Sequence, residues 1–248
     1  MTIEITSLQH PLVKHLVKVK SDRIYRAQQG VAVIAGKKMI AEIAKYTTIK
    51  TLLLIDKNDS IDAAENVVVA TQEIIKKVSG LKNPESFVAE VVIPKCTLDD
   101  TAQFIVVLEN INDPGNMGTL IRTAIALRWD AVILVGDCVD PYNEKALRAA
   151  KGATFRMPVV KKTWEELKTF LEERKMPLYI ADMGGRNASD VKRLDTAAVL
   201  LGSEAHGASV EAKQYGSTIA IPISDEMESL NVAIAGGIIL YLLKERTR

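Results

Sequence analysis

Apolar runs of four to seven residues recur along the chain, separated by stretches whose apolar positions fall three or four apart. Between 7 and 29, Leu8, Leu12, Leu16 and Val19 repeat near the helical period among basic residues, which predicts a basic helix. VAVIAG (31–36), TLLLID (51–56), NVVVA (66–70) and FVAEVVI (87–93) predict strands, with helices over Met39–Lys45 and Gln72–Ser79 between them. This alternation predicts a small α/β domain. Pro94 and the polar KCTLDDTAQ (95–103) interrupt the pattern. The expected organisation is therefore a domain at 1–95, a linker at 96–103 and a second domain at 104–248.

Beyond the linker the alternation is more regular. FIVVLE (104–109), AVILVG (131–136), MPVV (157–160), PLYIAD (177–182), AAVLLG (197–202) and TIAIPI (218–223) predict strands. Helices are expected over 116–128, 143–151, 164–174, 209–215 and 229–244. Near-continuous apolar strands suit a parallel sheet covered on both faces by helices, and ligands of such sheets sit beyond the strands' carboxyl ends. Three polar strings fall at such ends: DPGNMGTLIR (113–122), LLGSEAHG (200–207) and IPISDEMESLNVAIAGG (221–237).

Composition changes this picture little, and charge changes it more. The 248 residues carry a formal charge of +1, with 48% hydrophobic residues, as an ordinary globular chain does. Residues 1–50 hold nine Lys/Arg against three Asp/Glu. A basic end beside a mildly acidic remainder suits a polyanion-binding module on a catalytic one, although solvated helix faces give the same pattern. Lys14, Lys18, Arg23, Arg26, Lys37 and Lys38 are the candidate contacts to such a polyanion, which the resemblance given below implies to be RNA. Only Tyr25, Tyr46 and Phe87 are aromatic within 1–93, so base stacking is not expected to dominate. Cys96 and Cys138 have no metal-ligand spacing, which argues against a zinc site or a disulfide framework and fits a reducing compartment. The run Val232–Leu243 is too short to span a bilayer. A soluble, cytoplasmic protein with no metal is expected.

In the first string, Asp113-Pro114-Gly115 is a turn signature, with Asn116 as the expected N-cap of a helix carrying Arg122. A guanidinium among small and apolar neighbours is either a structural ion pair or an anion clamp reaching towards the strand ends. In the second string, Gly202 and Gly207 bracket a loop, with Glu204 as an acceptor; a plain strand-to-helix turn is the alternative. Neither a GxGxxG nor a GxxxxGK[ST] pattern is present. In the third, Ser229 is the expected cap of a helix that is apolar nearly all round, and either a subunit interface or a monomer's core would bury it. His206, His10 and His15 have no partner spacing and are expected to be loop or surface groups. GGRNASD (184–190) is expected to be a flexible surface loop.

The three strings, read in order as DPGNMGTLIRTA, LLGSEAHG and IPISDEMESLNVAIA, resemble the SpoU/TrmH family of RNA 2′-O-ribose methyltransferases, within the SPOUT superfamily. The resemblance covers 104–248; ITSLQHPLVKHLVKV…VAVIAGKKMI (5–40) is similar to the family's amino-terminal substrate-binding domain, and PYNEKALRAAKGA (141–153) to the stretch between its first two motifs. Three positions depart from the usual pattern: Ala35 where Glu precedes the Gly, Ala150 where Ser stands, and Arg128 near a customary Gly. The resemblance implies an α/β fold whose parallel-sheet domain ends in a trefoil knot, and a homodimer whose active sites share residues across the interface. It also implies that S-adenosylmethionine is cradled by Leu201, Gly202, Glu204, Gly207, Ile221, Ile223, Ser229 and Leu230. Arg122, Asn116, Glu204, Ser229 and Asn231 then carry the chemistry, with ribosomal RNA as the expected substrate. A tRNA methyltransferase and a catalytically idle RNA-binding protein of the same fold are the alternatives. A dehydrogenase-like nucleotide enzyme is a further class, and it lacks the glycine fingerprint.

Overall fold

A computed structural model of the chain describes residues 3–58, 64–192 and 194–245. Two compact units form, Met1–Lys95 with Tyr142–Phe155, and Cys96–Pro141 with Arg156–Arg248. The first contains β1 (Ile3–Ile5), α1 (Pro11–Ser21), α2 (Arg23–Gln29), β2 (Val31–Ala35), α3 (Lys37–Ile43), β3 (Ile49–Leu54), β4 (Ala64–Ala70), α4 (Gln72–Ser79) and β5 (Phe87–Val92). Its sheet runs β1-β4-β3-β5-β2, with β5 antiparallel to both neighbours. The basic helix expected over 7–29 is two helices. Asp22 takes an extended conformation that ends α1, and its carboxylate accepts from the Tyr25 amide to cap α2.

The segment 142–155, expected in the second domain, belongs to the first unit. Its Leu147 and Phe155 are buried with Ile40, Ile43, Leu52 and Leu54, so apolar burial decides the assignment. Conversely 96–103 belongs to the second unit: Ala102 is in its core, and Leu98 packs against it.

The second unit holds β6 (Phe104–Glu109), α5 (Pro114–Ala126) and β7 (Ala131–Val135). After α6 (Glu144–Ala150), which lies in the first unit, come β8 (Val159–Lys162), α7 (Trp164–Glu173), β9 (Leu178–Asn187), β10 (Ala197–Leu201), α8 (Val210–Tyr215), β11 (Ser217–Ala220) and α9 (Val232–Glu245). The six strands are all parallel, in the order β11-β9-β10-β6-β7-β8. Strands β6, β7 and β10 are buried along their full length, which is why their sequences are apolar without alternation. The chain leaves β6 towards β7 and later returns on its other side as β10. That reversal opens a crevice at the carboxyl ends of β6 and β10, where the first two strings begin.

Residues 184–190 are not a surface loop. Strand β9 leaves its register with β11 after Ile180 and resumes it at Arg186, opposite Ile219, so 181–185 bow out of the sheet. A Cβ on Gly185 would lie 2.5 Å from the Ile219 amide, so only glycine lets the two backbones pass so closely. Asn187 then caps a short turn whose Ala188 is fully buried.

Helix α9 packs closely on α5 and β10 through Gly236, whose Cβ would sit 2.5 Å from Leu120 and 2.7 Å from Leu201. Its other face leaves Ile234, Ile238 and Tyr241 exposed, at 56%, 37% and 50%. Their spacing puts them on one stripe.

Candidate functional site

The turn after β6 delivers the first string. Asp113, not Asn116, is the N-cap of α5: its carboxylate accepts from the Asn116 amide at 2.7 Å, and Pro114 occupies the first turn. The Pro that follows the acid marks this position, since a proline is best tolerated where no helical N–H is needed. A side chain on Gly115 would crowd the same carboxylate, at 2.9 Å. Asn116 therefore lies inside the first turn with its side chain free of capping.

Strand β10 delivers the second string. The two glycines there answer different demands. Gly202 is buried, and a Cβ would overlap the Gly207 carbonyl and the Ala208 amide. Gly207 has open space around it but a φ of +66°, which closes the hairpin-like loop through its amide bond to the Ser203 carbonyl at 2.9 Å. Behind the loop, the buried Glu109 carboxylate at the end of β6 accepts from the Trp164 indole at 2.9 Å and the Ser209 amide at 2.8 Å. It anchors the start of α8 and with it one end of the loop.

The third string runs from β11 without regular structure to α9. The strand ends at Ala220, so Ile221-Pro222-Ile223 is loop. Ser229 caps nothing. Asn231 is the cap: its Oδ1 accepts from the Ala233 amide at 2.9 Å and from the Ile234 amide at 3.3 Å. The cap lies two residues later than expected because the chain turns at 225–226 and takes up helix only from Val232.

These three strings meet at one amide. Asn116 Nδ2 donates to Glu204 at 2.7 Å, and Asn116 Oδ1 accepts from Asn231 Nδ2 at 3.1 Å. Capping holds the Asn231 oxygen on the α9 amides, so its NH2 faces Asn116, whose own NH2 is left for the carboxylate. Asn116, Glu204 and Asn231 are thus one oriented chain joining α5, the β10 loop and α9.

Beside it lies a cavity of about 620 Å³, within the range of small-molecule sites. Leu201, Gly202, Glu204 and Gly207 line one wall; Ile221, Ile223, Ser229, Leu230 and Asn231 line another. Asp182 and Met183, on the bowed 181–185 segment, line it as well. Lys213 donates to the Asp182 carboxylate at 2.5 Å, and this bond holds its pKa below the usual carboxylate value. Asp182 was a legible signal, a polar residue ending an apolar strand as the other strings do. Glu109 carried the same signal.

Arg122 is not among the lining residues. It is exposed on α5 with Thr119 and Ala126, and its guanidinium has no hydrogen-bond or ion-pair partner among the described residues. Six residues separate it from Asn116, so the helix turns it about 240° away from that side chain. His206 is exposed on the loop and contributes its main-chain amide to Ser203. No group of three or more His, Cys, Asp or Glu that could hold a metal occurs among the described residues, and no helix is long and apolar enough to cross a membrane.

In the amino-terminal unit, Lys14, Lys18, Arg23, Lys37 and Lys38 are exposed. Arg26 is not. It is 3% exposed, and its guanidinium donates to the Val19 and Lys20 carbonyls at the end of α1. It is a structural cap and leaves the set of RNA contacts. His15 is likewise engaged, Nδ1 with the Tyr25 hydroxyl at 2.9 Å and Nε2 with the buried Glu90 at 2.8 Å.

Comparison with known proteins gives the same picture of the carboxyl-terminal unit. The SpoU rRNA Methylase family model matches residues 103–241. The 23S rRNA (guanosine(2553)-2'-O)-methyltransferase RlmP of Bacillus subtilis is 28% identical, over 97% of this chain and 99% of its own. An uncharacterised tRNA/rRNA methyltransferase of Synechocystis is 30% identical, over 96% of this chain and 92% of its own. The crystal structure of an AdoMet-bound rRNA methyltransferase from Sinorhizobium meliloti superposes with a TM-score of 0.87 at 26% identity, covering 98% of each chain.

Proposed function

The chain belongs to the SpoU rRNA methylase family, and we propose on that premise that it methylates a ribose 2′-hydroxyl of ribosomal RNA in the cytoplasm, using S-adenosylmethionine. The observation that carries this reading is the Asn116 bridge between Glu204 and Asn231 beside a cavity that Gly202 and Gly207 help to line. The residues present fit the donor: apolar walls from Leu201, Ile221, Ile223 and Leu230, main chain brought close by Gly202, and polar groups among the lining residues, Ser203, Glu204, Ser229 and Asn231. The donor supplies an electrophilic methyl group on a sulfonium.

The chain has to hold the acceptor hydroxyl in line and manage its proton. Arg122 cannot take that proton, because a guanidinium stays protonated to above about pH 12. Its assigned work is to hold the target phosphate and the negative charge that develops on the attacking oxygen. Asn116 positions the ribose or Arg122, and Ser229 and Asn231 shape the junction between donor and acceptor. Lys14, Lys18, Arg23, Lys37 and Lys38 bind RNA phosphates.

A homodimer is part of the proposal. The stripe of Ile234, Ile238 and Tyr241 has the exposure of a surface that a partner covers, and Arg122 lies outside its own cavity's lining. Both support a site completed by the second copy. The carboxyl-terminal helix would close the trefoil knot that the resemblance implies.

The test is methyl transfer from labelled donor to separated rRNA and tRNA pools, followed by nucleoside mapping. Arg122→Ala is expected to abolish transfer while leaving donor binding intact. Mixing it with a variant whose cavity is blocked should restore part of the activity through mixed dimers. Label on a base, label confined to tRNA, or simultaneous loss of binding and transfer in Arg122→Ala would each overturn the assignment.

A further inference from the structure

The cavity is lined by three carboxylates, Asp182, Glu204 and Glu228, and by no Lys, Arg or His. Their charges are not equally available. Asp182 is matched by Lys213. Glu204 is engaged by a neutral amide, which orients its charge without cancelling it. Glu228 is exposed on the cavity wall and has no hydrogen-bond or ion-pair partner among the described residues. The wall therefore keeps two negative charges with no cation to answer them.

The donor proposed above carries a sulfonium and an ammonium against one carboxylate, a net positive charge. After transfer the sulfur is a neutral thioether, and the product has no net charge. The two differ in shape by one methyl group and in net charge by one unit, and only the charge contribution weakens with salt. Glu228, on the cavity wall, stands in no hydrogen bond or ion pair among the described residues, so its charge is not explained by holding the fold.

We propose that Glu228 is a specificity-determining residue whose carboxylate, together with that of Glu204, makes the cavity select its ligand by charge, favouring the cationic methyl donor over the neutral thioether product. This rests on the methyl-donor reading of the cavity. It gives product release a physical basis: losing the sulfonium charge removes the attraction that seated the ligand. One water-screened charge pair at contact distance corresponds to about a fivefold difference in affinity.

Titration calorimetry on the full chain tests this with three ligands: S-adenosylmethionine, S-adenosylhomocysteine, and an analogue with an amine in place of the sulfonium. The donor and the amine analogue should bind about fivefold tighter than the thioether in low salt, with the gap narrowing at high salt. Glu228→Gln should bring the three affinities within about twofold of one another, without moving the melting temperature. Glu226→Gln, in the same acidic loop but off the cavity wall, should leave the gap unchanged. Equal binding of donor and thioether by the native chain overturns charge selection while leaving the donor reading in place. A gap that survives Glu228→Gln, or closes equally in Glu226→Gln, overturns the role of Glu228. Failure of all three ligands to bind overturns the donor reading and this inference with it.

Discussion

Replacing Asn231 separates the scaffold from the chemistry. Its oxygen caps α9 and its nitrogen holds Asn116, so two substitutions remove different halves of the residue. Asn231→Ala loses both. A lost cap costs about 1 kcal/mol and a lost neutral hydrogen bond about 0.5–1.5 kcal/mol, so stability should fall by about 2 kcal/mol. That corresponds to a drop of roughly 4–8 °C in Tm for a chain of this size. Asn231→Asp keeps the cap and places a negative charge at the helix's amino end, worth about 0.3–1 kcal/mol, which offsets the missing bond. Its Tm should stay within about 2 °C of the native value.

The aspartate nevertheless breaks the bridge. Asn116 would face a carboxylate on each side, and its single NH2 can serve only one of them. Whichever way the amide turns, an oxygen meets an oxygen at the other end. A lost charge-assisted bond of about 1.5–3 kcal/mol, expressed in the transition state, lowers kcat by about ten- to a hundredfold. The assay is methyl transfer to an rRNA transcript beside thermal melting. If Asn231→Asp methylates at the native rate, or if both variants lose activity only in proportion to their loss of Tm, the reasoning fails.

Gly202→Ala should abolish donor binding by calorimetry and lower stability by about 1–3 kcal/mol, because the new methyl has only backbone to push against. Arg128 has a φ of +60° just beyond the end of α5, a conformation costly for a side chain. Arg128→Gly should therefore raise Tm by about 2–4 °C, which differential scanning calorimetry would show; an unchanged or lower Tm would refute the strain. The Asp182 carboxyl sits below its unfolded value, chiefly through its bond from Lys213. Its contribution, no more than about 1 kcal/mol, is complete above the unfolded carboxylate pKa of about 4 and lost as pH falls through the depressed folded one. Melting curves from pH 5 to pH 2.5 should be flatter for Asp182→Asn than for the native chain.

Elements whose cause is local were legible. The strand 104–109 and the helix 72–79 have the expected bounds, because continuous apolar runs and a Thr71 cap with Gly80 beyond the end are short-range signals. Choices between rival local signals went astray. Asn116 and Ser229 are acceptable caps in isolation, yet Pro114 and the irregular path of 221–230 gave the role to Asp113 and Asn231. Arg26 shows the same limit, since no pattern along the chain distinguishes a guanidinium turned onto the α1 carbonyls from one turned to solvent. Segment 142–155 changed units for want of any local mark of which core would take Leu147 and Phe155.

Residue order alone established an α/β chain, its three polar strings at strand ends and the glycines within them, because steric and periodic rules act over a few bonds. It could not say that Asn116, Glu204 and Asn231 touch, since 88 residues separate the first pair and 115 the outer one. Only the packed sheet decided that. Placing β10 beside β6, bowing 181–185 out of β9 and seating Gly236 of α9 against Leu120 bring distant backbone together, and contacts of that kind depend on the whole core rather than on any stretch of it.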